Sequence, residues 1–151
     1  TSMWQFQLGS LVTTATRSTP CLARAAQRRP MSVHLLTQLD VCDNSGAKKI
    51  TCIGHFARKP AKLGDAVRAV VNVAKAGGKV ARKEIVAAVI VRTRGRHRRH
   101  DGSEVRFQEN AAVLYKRDLS APIGTRVLGP VAREVRTTPF QKIALMASQG
   151  V

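Results

Sequence analysis

Ile85-Val86-Ala87-Ala88-Val89-Ile90-Val91, followed at once by Arg92-Thr93-Arg94-Gly95-Arg96-His97-Arg98-Arg99-His100, decides how this 151-residue chain folds and what it meets. The first run is apolar and rich in β-branched residues, too short for a helix and flanked by charge. It lacks the alternation of a half-wet strand, so we expect a central strand covered on both faces. The nine residues after it hold five Arg and two His and stop at Asp101-Gly102, a hairpin signal. The chain should return through Val105 and Phe107. The basic segment is therefore expected to project from the sheet, with Arg92 and Arg94 pointing the same way.

Toward the N-terminus the pattern is strand-like from about Ser32. Val33, Leu35, Leu39 and Val41 form one face, and His34, Gln38 and Asp40 form the other. Asp43-Asn44-Ser45-Gly46 gathers residues that bond their own backbone or accept positive φ, so it should link two strands, the second over about Lys48 to Phe56. A turn at Lys62-Leu63-Gly64-Asp65 precedes Val67, Ala69, Val71 and Val73, which alternate with Arg68 and Asn72 as a third strand. Gly77-Gly78 breaks it.

Toward the C-terminus, Ala111 to Tyr115 reads as a further strand, and Ala121-Pro122-Ile123-Gly124 as a turn. Pro130 suits a first helical position. Two short helices are expected, about Val131 to Arg136 and Phe140 to Ala147, with Ile143 and Met146 inward. Short strands at close spacing argue for a β-barrel or sandwich closed by this tail.

Composition names the partner class. Lys and Arg number 26 against 9 Asp and Glu, a net charge of +17, with a pI near 11.4. Such a chain repels itself, whereas docking on a polyanion releases counterions and converts the same charge into affinity. Hydrophobic residues make up 44%, enough for one core, yet no stretch approaches the roughly 20 apolar residues of a membrane span. A soluble protein with no membrane partner is expected. No amphipathic basic helix favours anionic lipid.

Residues 1–31 differ from the rest. Arg17, Arg24, Arg28 and Arg29 lie among Ser, Thr, Ala and Leu, and no acid appears before Asp40, which reads as an organelle transit segment. A disordered basic arm lying on RNA is the alternative, and the two are compatible. The division expected is 1–31 as extension and 32–151 as the folded domain.

Basic side chains recur in several loops: Lys48 and Lys49; Arg58, Lys59 and Lys62; Lys75, Lys79, Arg82 and Lys83. A broad RNA surface fits this distribution better than one helix in a DNA groove. Aromatic residues are only 4%, so stacking on unpaired bases is not the main mode, and recognition of backbone and shape is left. Arg guanidinium forks suit phosphate, which makes Arg92 to Arg99 the leading clamp.

Catalytic and metal signals are weak. His97 and His100 have an HxxH spacing, but the surrounding Arg charges oppose zinc. Cys21, Cys42 and Cys52 form no CxxC pair, so neither a disulfide framework nor a metal site is expected, although strand pairing can bring Cys42 near Cys52. Asp40 and Asp43 flank a turn and are read as bonding its backbone. No nucleophile elbow, phosphate loop or paired acidic cluster is present. We therefore expect no enzyme activity and no cofactor. A DNA-architectural protein and an RNA-processing enzyme are the rivals; the first would bind duplex DNA as tightly as structured RNA, and the second would turn over through His97 or His100.

Specific blocks sharpen this. Val41-Cys42-Asp43-Asn44-Ser45-Gly46-Ala47-Lys48-Lys49, Ile90-Val91-Arg92-Thr93-Arg94 and Arg98-Arg99-His100-Asp101-Gly102-Ser103 are followed by Arg106-Phe107-Gln108-Glu109-Asn110-Ala111. Then come Pro122-Ile123-Gly124-Thr125-Arg126-Val127-Leu128-Gly129-Pro130-Val131 and Arg133-Glu134-Val135-Arg136. In order, from about Ser32 to the C-terminus, these blocks resemble the universal large-subunit ribosomal protein number fourteen, of bacterial and organellar type. The resemblance implies a five-stranded β-barrel with a projecting basic hairpin and small C-terminal helices. It implies binding to large-subunit rRNA, contact with neighbouring large-subunit proteins, and a bridge to small-subunit rRNA at the intersubunit face. It also implies a docking site for a ribosome silencing factor. By position, Arg92, Arg94, Arg96, His97, Arg98 and Arg99 fall in the family's basic hairpin, and Arg126, Arg133 and Arg136 on its C-terminal motif. Asn44, Gly46, Gly102, Gly124 and Gly129 fall at its turns. The connection from Gly54 to Lys62 is shorter and less glycine-rich than the family's usual segment. Residues 1–31 have no bacterial counterpart, which points to an imported version, mitochondrial in preference to plastid.

Overall fold

The computed structural model describes residues 33–57 and 60–151. The transit-like segment, Arg58 and Lys59 lie outside the described residues. Five strands, β1 (Gln38–Val41), β2 (Ala47–His55), β3 (Ala66–Ala74), β4 (Ile85–Arg92) and β7 (Ala111–Tyr115), close into a barrel in that order. Neighbours are antiparallel except β1 and β7, whose parallel pairing of Asp40 with Ala111 and Val41 with Ala112 shuts it. A two-stranded ribbon, β5 (His97–Arg98) and β6 (Glu104–Val105), leaves the barrel after β4. The tail then runs through β8 (Val127–Val131), a 3-10 turn (Arg133–Thr137), α1 (Gln141–Met146) and β9 (Ala147–Gly150), with β9 parallel to β8.

Alternation explains how one strand serves two cores. The inward residues of β4 and β7, Val86, Ala88, Ile90, Ala112 and Leu114, pack with Leu39, Ile50, Val67 and Val71 inside the barrel. Their outward neighbours, Ala87, Val89, Val91, Ala111, Val113 and Tyr115, lie under the tail with Val127, Val131, Val135, Phe140 and Ile143. Every residue of β4 from Val86 on is buried, as the unbroken apolar run requires. Without the tail, the outer face of both strands would sit in water.

The structure corrects three expectations. Leu35 does not join the inner face: residues 34–37 form a turn that places Leu35 at 58% and Leu36 at 77% exposure. Pro130 starts no helix; it lies within β8, and the helical geometry begins only at Arg133. The second expected helix is shortened to Gln141–Met146 because the chain then extends into β9. Ile143 is buried as expected. Cys52 faces the barrel interior, whereas Cys42 lies in the outer core; both are free thiols. Burial pushes the Cys42 thiol up to about 12.

Candidate nucleic-acid interface

The basic hairpin is docked along one face. In Arg94-Gly95-Arg96-His97-Arg98-Arg99-His100, the exposed residues are Arg94, Arg96, Arg98 and His100, while Gly95 is buried and His97 and Arg99 are half-buried. Exposure alternates along the segment, although only His97–Arg98 is paired as strand, and this sorts the cations into an outer and an inner set. On the inner side, Arg99 Nε donates to Glu134 Oε1 at 2.6 Å, and its Nη2 reaches Glu134 Oε2 at 3.3 Å and the main-chain oxygen of Val151 at 2.7 Å. His97 Nε2 stands 3.8 Å from the same carboxylate. Burial alone would raise the Glu134 pKa, but the hydrogen bond from Arg99, its own amide and the charges of Arg99 and His97 hold it below the ordinary value. Since His97 faces Glu134 and His100 faces solvent, the HxxH pair does not converge.

Arg92 overturns its sequence reading. It lies at the root of the hairpin with its side chain 9% exposed, and it does not share a direction with exposed Arg94. Its Nη1 donates to the carbonyls of Leu128 at 3.2 Å and Pro130 at 3.4 Å, and its Nη2 pairs with Glu109 at 3.0 Å. A bulge between Ile90 and Arg92 turns the side chain onto β8. Gly129, at φ +80°, makes room for it; a Cβ there would collide with the guanidinium. Arg92 therefore ties barrel to tail. Arg94 is held less tightly: Asn110 Oδ1 accepts from its amide at 2.8 Å, and Gln108 O accepts from its Nε at 2.7 Å.

Three turns meet at one barrel end, those around residues 43–46, 77–79 and 122–126. Asp43 is buried, and its carboxylate accepts the amide and hydroxyl of Ser45 and, at 2.8 Å, the amide of Leu114 in β7. Asn44 Oδ1 accepts the Thr125 amide at 2.7 Å and the Arg126 amide at 3.3 Å, while its Nδ2 donates to Thr125 Oγ1 at 2.9 Å. Gly124 packs on Asp43, and a Cβ there would come within 2.8 Å of the Asp43 Cβ. Gly46, at φ +101°, lies against Gly78, where a Cβ would be 2.8 Å from Gly78 Cα. The Lys79 amide then bonds Ser45 O at 2.8 Å, and its ammonium reaches Ile123 O at 3.1 Å.

Around this scaffold Lys48, Lys49, Lys79 and Arg126 are exposed. Lys48 and Lys49 both face out because register shifts around Lys49 break the alternation. On the tail, Arg133 and Arg136 are exposed, with Arg133 3.8 Å from Asp101. Arg96 stands 3.6 Å from Glu104. These pairs are solvent-exposed and hold the cations only loosely. Arg98, Lys48, Lys49 and Arg126 have no ion-pair partner among the described residues. Gly102, at φ +84°, turns the hairpin tip, where Asp101 accepts the Ser103 hydroxyl and amide, which holds its carboxyl below the ordinary value.

The sequence reading did not single out Lys116 and Arg117, both exposed at the end of β7; the signal was a basic pair directly after an apolar run. It also missed Glu109 and Glu134 as the partners that immobilise Arg92 and Arg99. Among known families, the model described as Ribosomal protein L14p/L23e matches residues 32–151, the greater part of the chain.

Proposed function

Since the chain belongs to the L14p/L23e family, it is a structural protein of the large ribosomal subunit and not an enzyme, and we propose that it acts there by binding large-subunit rRNA through the exposed cations of its hairpin and barrel end. The observation that carries this is the sorting of charge along the hairpin: Arg94, Arg96 and Arg98 are exposed, while His97 and Arg99 are tied to Glu134 of the tail. A row of arginines on a ribbon braced by the protein core keeps its forks available for phosphate without losing much order on binding. Lys48, Lys49, Lys79 and Arg126 carry the same sign at the barrel end where β7 finishes, and Arg136 carries it on the tail. Arg58 and Lys59 are proposed to join them from the connection between β2 and β3.

In this reading the protein neutralises folded rRNA and presents its free face to the small subunit, where it contributes to a bridge. Neighbouring large-subunit proteins and a ribosome silencing factor are its proposed protein partners, and no membrane contact is involved. The acid-free, Arg-bearing stretch before residue 32 supports a mitochondrial ribosome, ahead of a plastid one, as its setting.

The test changes Arg94, Arg96 and Arg98 together to Ala and leaves Arg99, which braces the fold. Expected is an unaltered circular dichroism spectrum with reduced co-sedimentation in the large-subunit fraction of an organellar lysate. Binding to isolated rRNA should also lose salt dependence, log K falling less steeply by about 0.7 to 0.9 per contact removed. Undiminished co-sedimentation together with an unchanged salt slope would refute the hairpin as an anchor.

A further inference from the structure

At the barrel end where the turns around residues 43–46, 77–79 and 122–126 meet, β4 and β7 separate. Their register stops at Ala87 with Tyr115. β7 then turns away: Tyr115 bridges Pro122, and the Lys116 amide bonds Ala121 O at 3.0 Å. β4 continues backward to Ile85, whose cross-strand partner is Val70 on β3. The gap between the strands is a cleft of about 440 Å³, lined by Ile85, Val86, Ile123, Glu84, Lys116 and Arg117 among others.

What this cleft offers follows from strand geometry. The Glu84 carbonyl accepts from Val71, and Ile90 exchanges bonds with Asp65 and Gly64, so the even residues of β4 bond toward β3. Main-chain groups alternate sides, and the amide and carbonyl of Ile85 therefore face the side β7 has left. An adjacent donor and acceptor, aimed into a gap, match the edge of a nucleobase. The Ile85 side chain is 43% exposed and Ile123 is half-buried, which gives apolar surface for a flat ring. Lys116 and Arg117 stand at the end of β7, with no ion-pair partner among the described residues. Glu84 is anchored by the Ala81 amide to one carboxylate oxygen at 2.8 Å, and the other oxygen can accept from a base amino group.

We propose that this cleft receives one unpaired RNA base, with the ring on Ile85 and Ile123, its edge on the Ile85 main chain, and the flanking phosphates on Lys116 and Arg117. The cleft joins apolar side chains to the charged Glu84, Lys116 and Arg117, which suits a ring carried between two phosphates. A phosphate alone would leave the isoleucines unused. A duplex would keep its ring faces stacked and away from the isoleucines. The proposal rests on the RNA-binding reading, but it adds a place where a base, and not only backbone, is contacted.

The test uses the full chain with methyl-labelled isoleucine, titrated with a short unstructured RNA, with an abasic oligonucleotide of the same length and phosphate count, and with a nucleoside monophosphate. Expected is a ring-current shift of the Ile85 and Ile123 methyl signals with the RNA only, and affinity about tenfold weaker for the abasic strand. Ile85→Trp, which adds its own ring at the gap, should erase that tenfold preference while leaving binding of the abasic strand intact, and an unaltered circular dichroism spectrum shows that the variant is folded. Equal affinity for both strands with unmoved isoleucine signals would overturn the cleft and leave the RNA-binding reading standing. No binding to either strand would overturn both. Saturation by the free monophosphate at the concentrations that suffice for the RNA would overturn the assignment to an RNA strand.

Discussion

Replacing Arg92 by methionine separates the two uses this chain makes of its arginines. The Arg92 guanidinium bonds two carbonyls of β8 at 3.2 and 3.4 Å and pairs with Glu109 at 3.0 Å. Glu109 is 48% exposed, so water replaces Arg92 there, and the pair itself contributes no more than about 1 kcal/mol. The bonds to the carbonyls involve a charged donor and are worth about 1.5 kcal/mol each at these long distances. Nε is buried and has no partner among the described residues, and deleting it recovers about 1 kcal/mol of desolvation. The net loss expected for Arg92→Met, which keeps the packing of the stem, is about 2 kcal/mol, or about 6–10 °C in Tm for a domain of this size. Urea denaturation followed by circular dichroism measures it. In the same series Arg98→Ala should change stability by under about 0.5 kcal/mol, yet lower the salt slope of rRNA binding by about 0.7 to 0.9. Arg92→Met should leave that slope alone. Wild-type stability with weakened RNA binding in Arg92→Met would refute the assignment of this guanidinium to the interior. Gly129→Ala supplies a cross-check: alone it forces Arg92 aside, whereas in the Arg92→Met background part of its cost should disappear, a coupling of about 1 kcal/mol.

Three further outcomes follow from the same geometry. Asp43→Ala strands the amides of Ser45 and Leu114 in a buried site and should cost about 3 kcal/mol, whereas Asp43→Asn, which keeps one carbonyl oxygen, should cost less; equal effects in chemical denaturation would contradict the carboxylate's bridging role. Glu134 is held below its ordinary pKa of 4.5, so its contribution is complete above that pH and is lost as pH falls through the lower folded value. The hairpin amides should therefore lose protection, measured against the intrinsic exchange rate at the same pH, as the solution is acidified, and Glu134→Gln should remove this dependence; the same acid response in Glu134→Gln would exclude Glu134 as its source. The Tyr115 hydroxyl is buried with no hydrogen-bond partner among the described residues, and burial raises its pKa. Tyr115→Phe should be neutral or up to about 1 kcal/mol more stable, and a clear loss of stability would reveal a bond to that oxygen.

Much of the architecture was legible because it is written in local patterns. Alternation in Val67, Ala69 and Val71 named a half-wet strand, the unbroken run Ile85–Val91 named one covered twice, and Asp43-Asn44-Ser45-Gly46 named the turn between β1 and β2. The charge of the hairpin was equally plain. What failed was the fate of individual side chains. Arg92 and Arg98 are the same residue in one basic segment, and nothing local says that the first lies over Gly129, 37 positions further along, while the second faces solvent. Pro130 suited a helix start by its fixed φ, but β8 takes that φ too, and pairing with β9 decided between them. Leu35 fitted the period of a strand that a left-handed residue at Leu36, φ +63°, had already interrupted.

Sequence alone determined that this chain would be a small domain of short strands, barrel or sandwich, carrying an excess of positive charge, because strand period, turn residues and net charge depend on near neighbours and composition; the barrel itself was implied by the family resemblance. Tertiary structure alone decided which cations stay free. An arginine is withdrawn from solvent only where distant chain brings it an acceptor and a space, as Leu128, Gly129 and Glu109 do for Arg92 and Glu134 does for Arg99. Those meetings are made by the closure of the barrel and the docking of the tail.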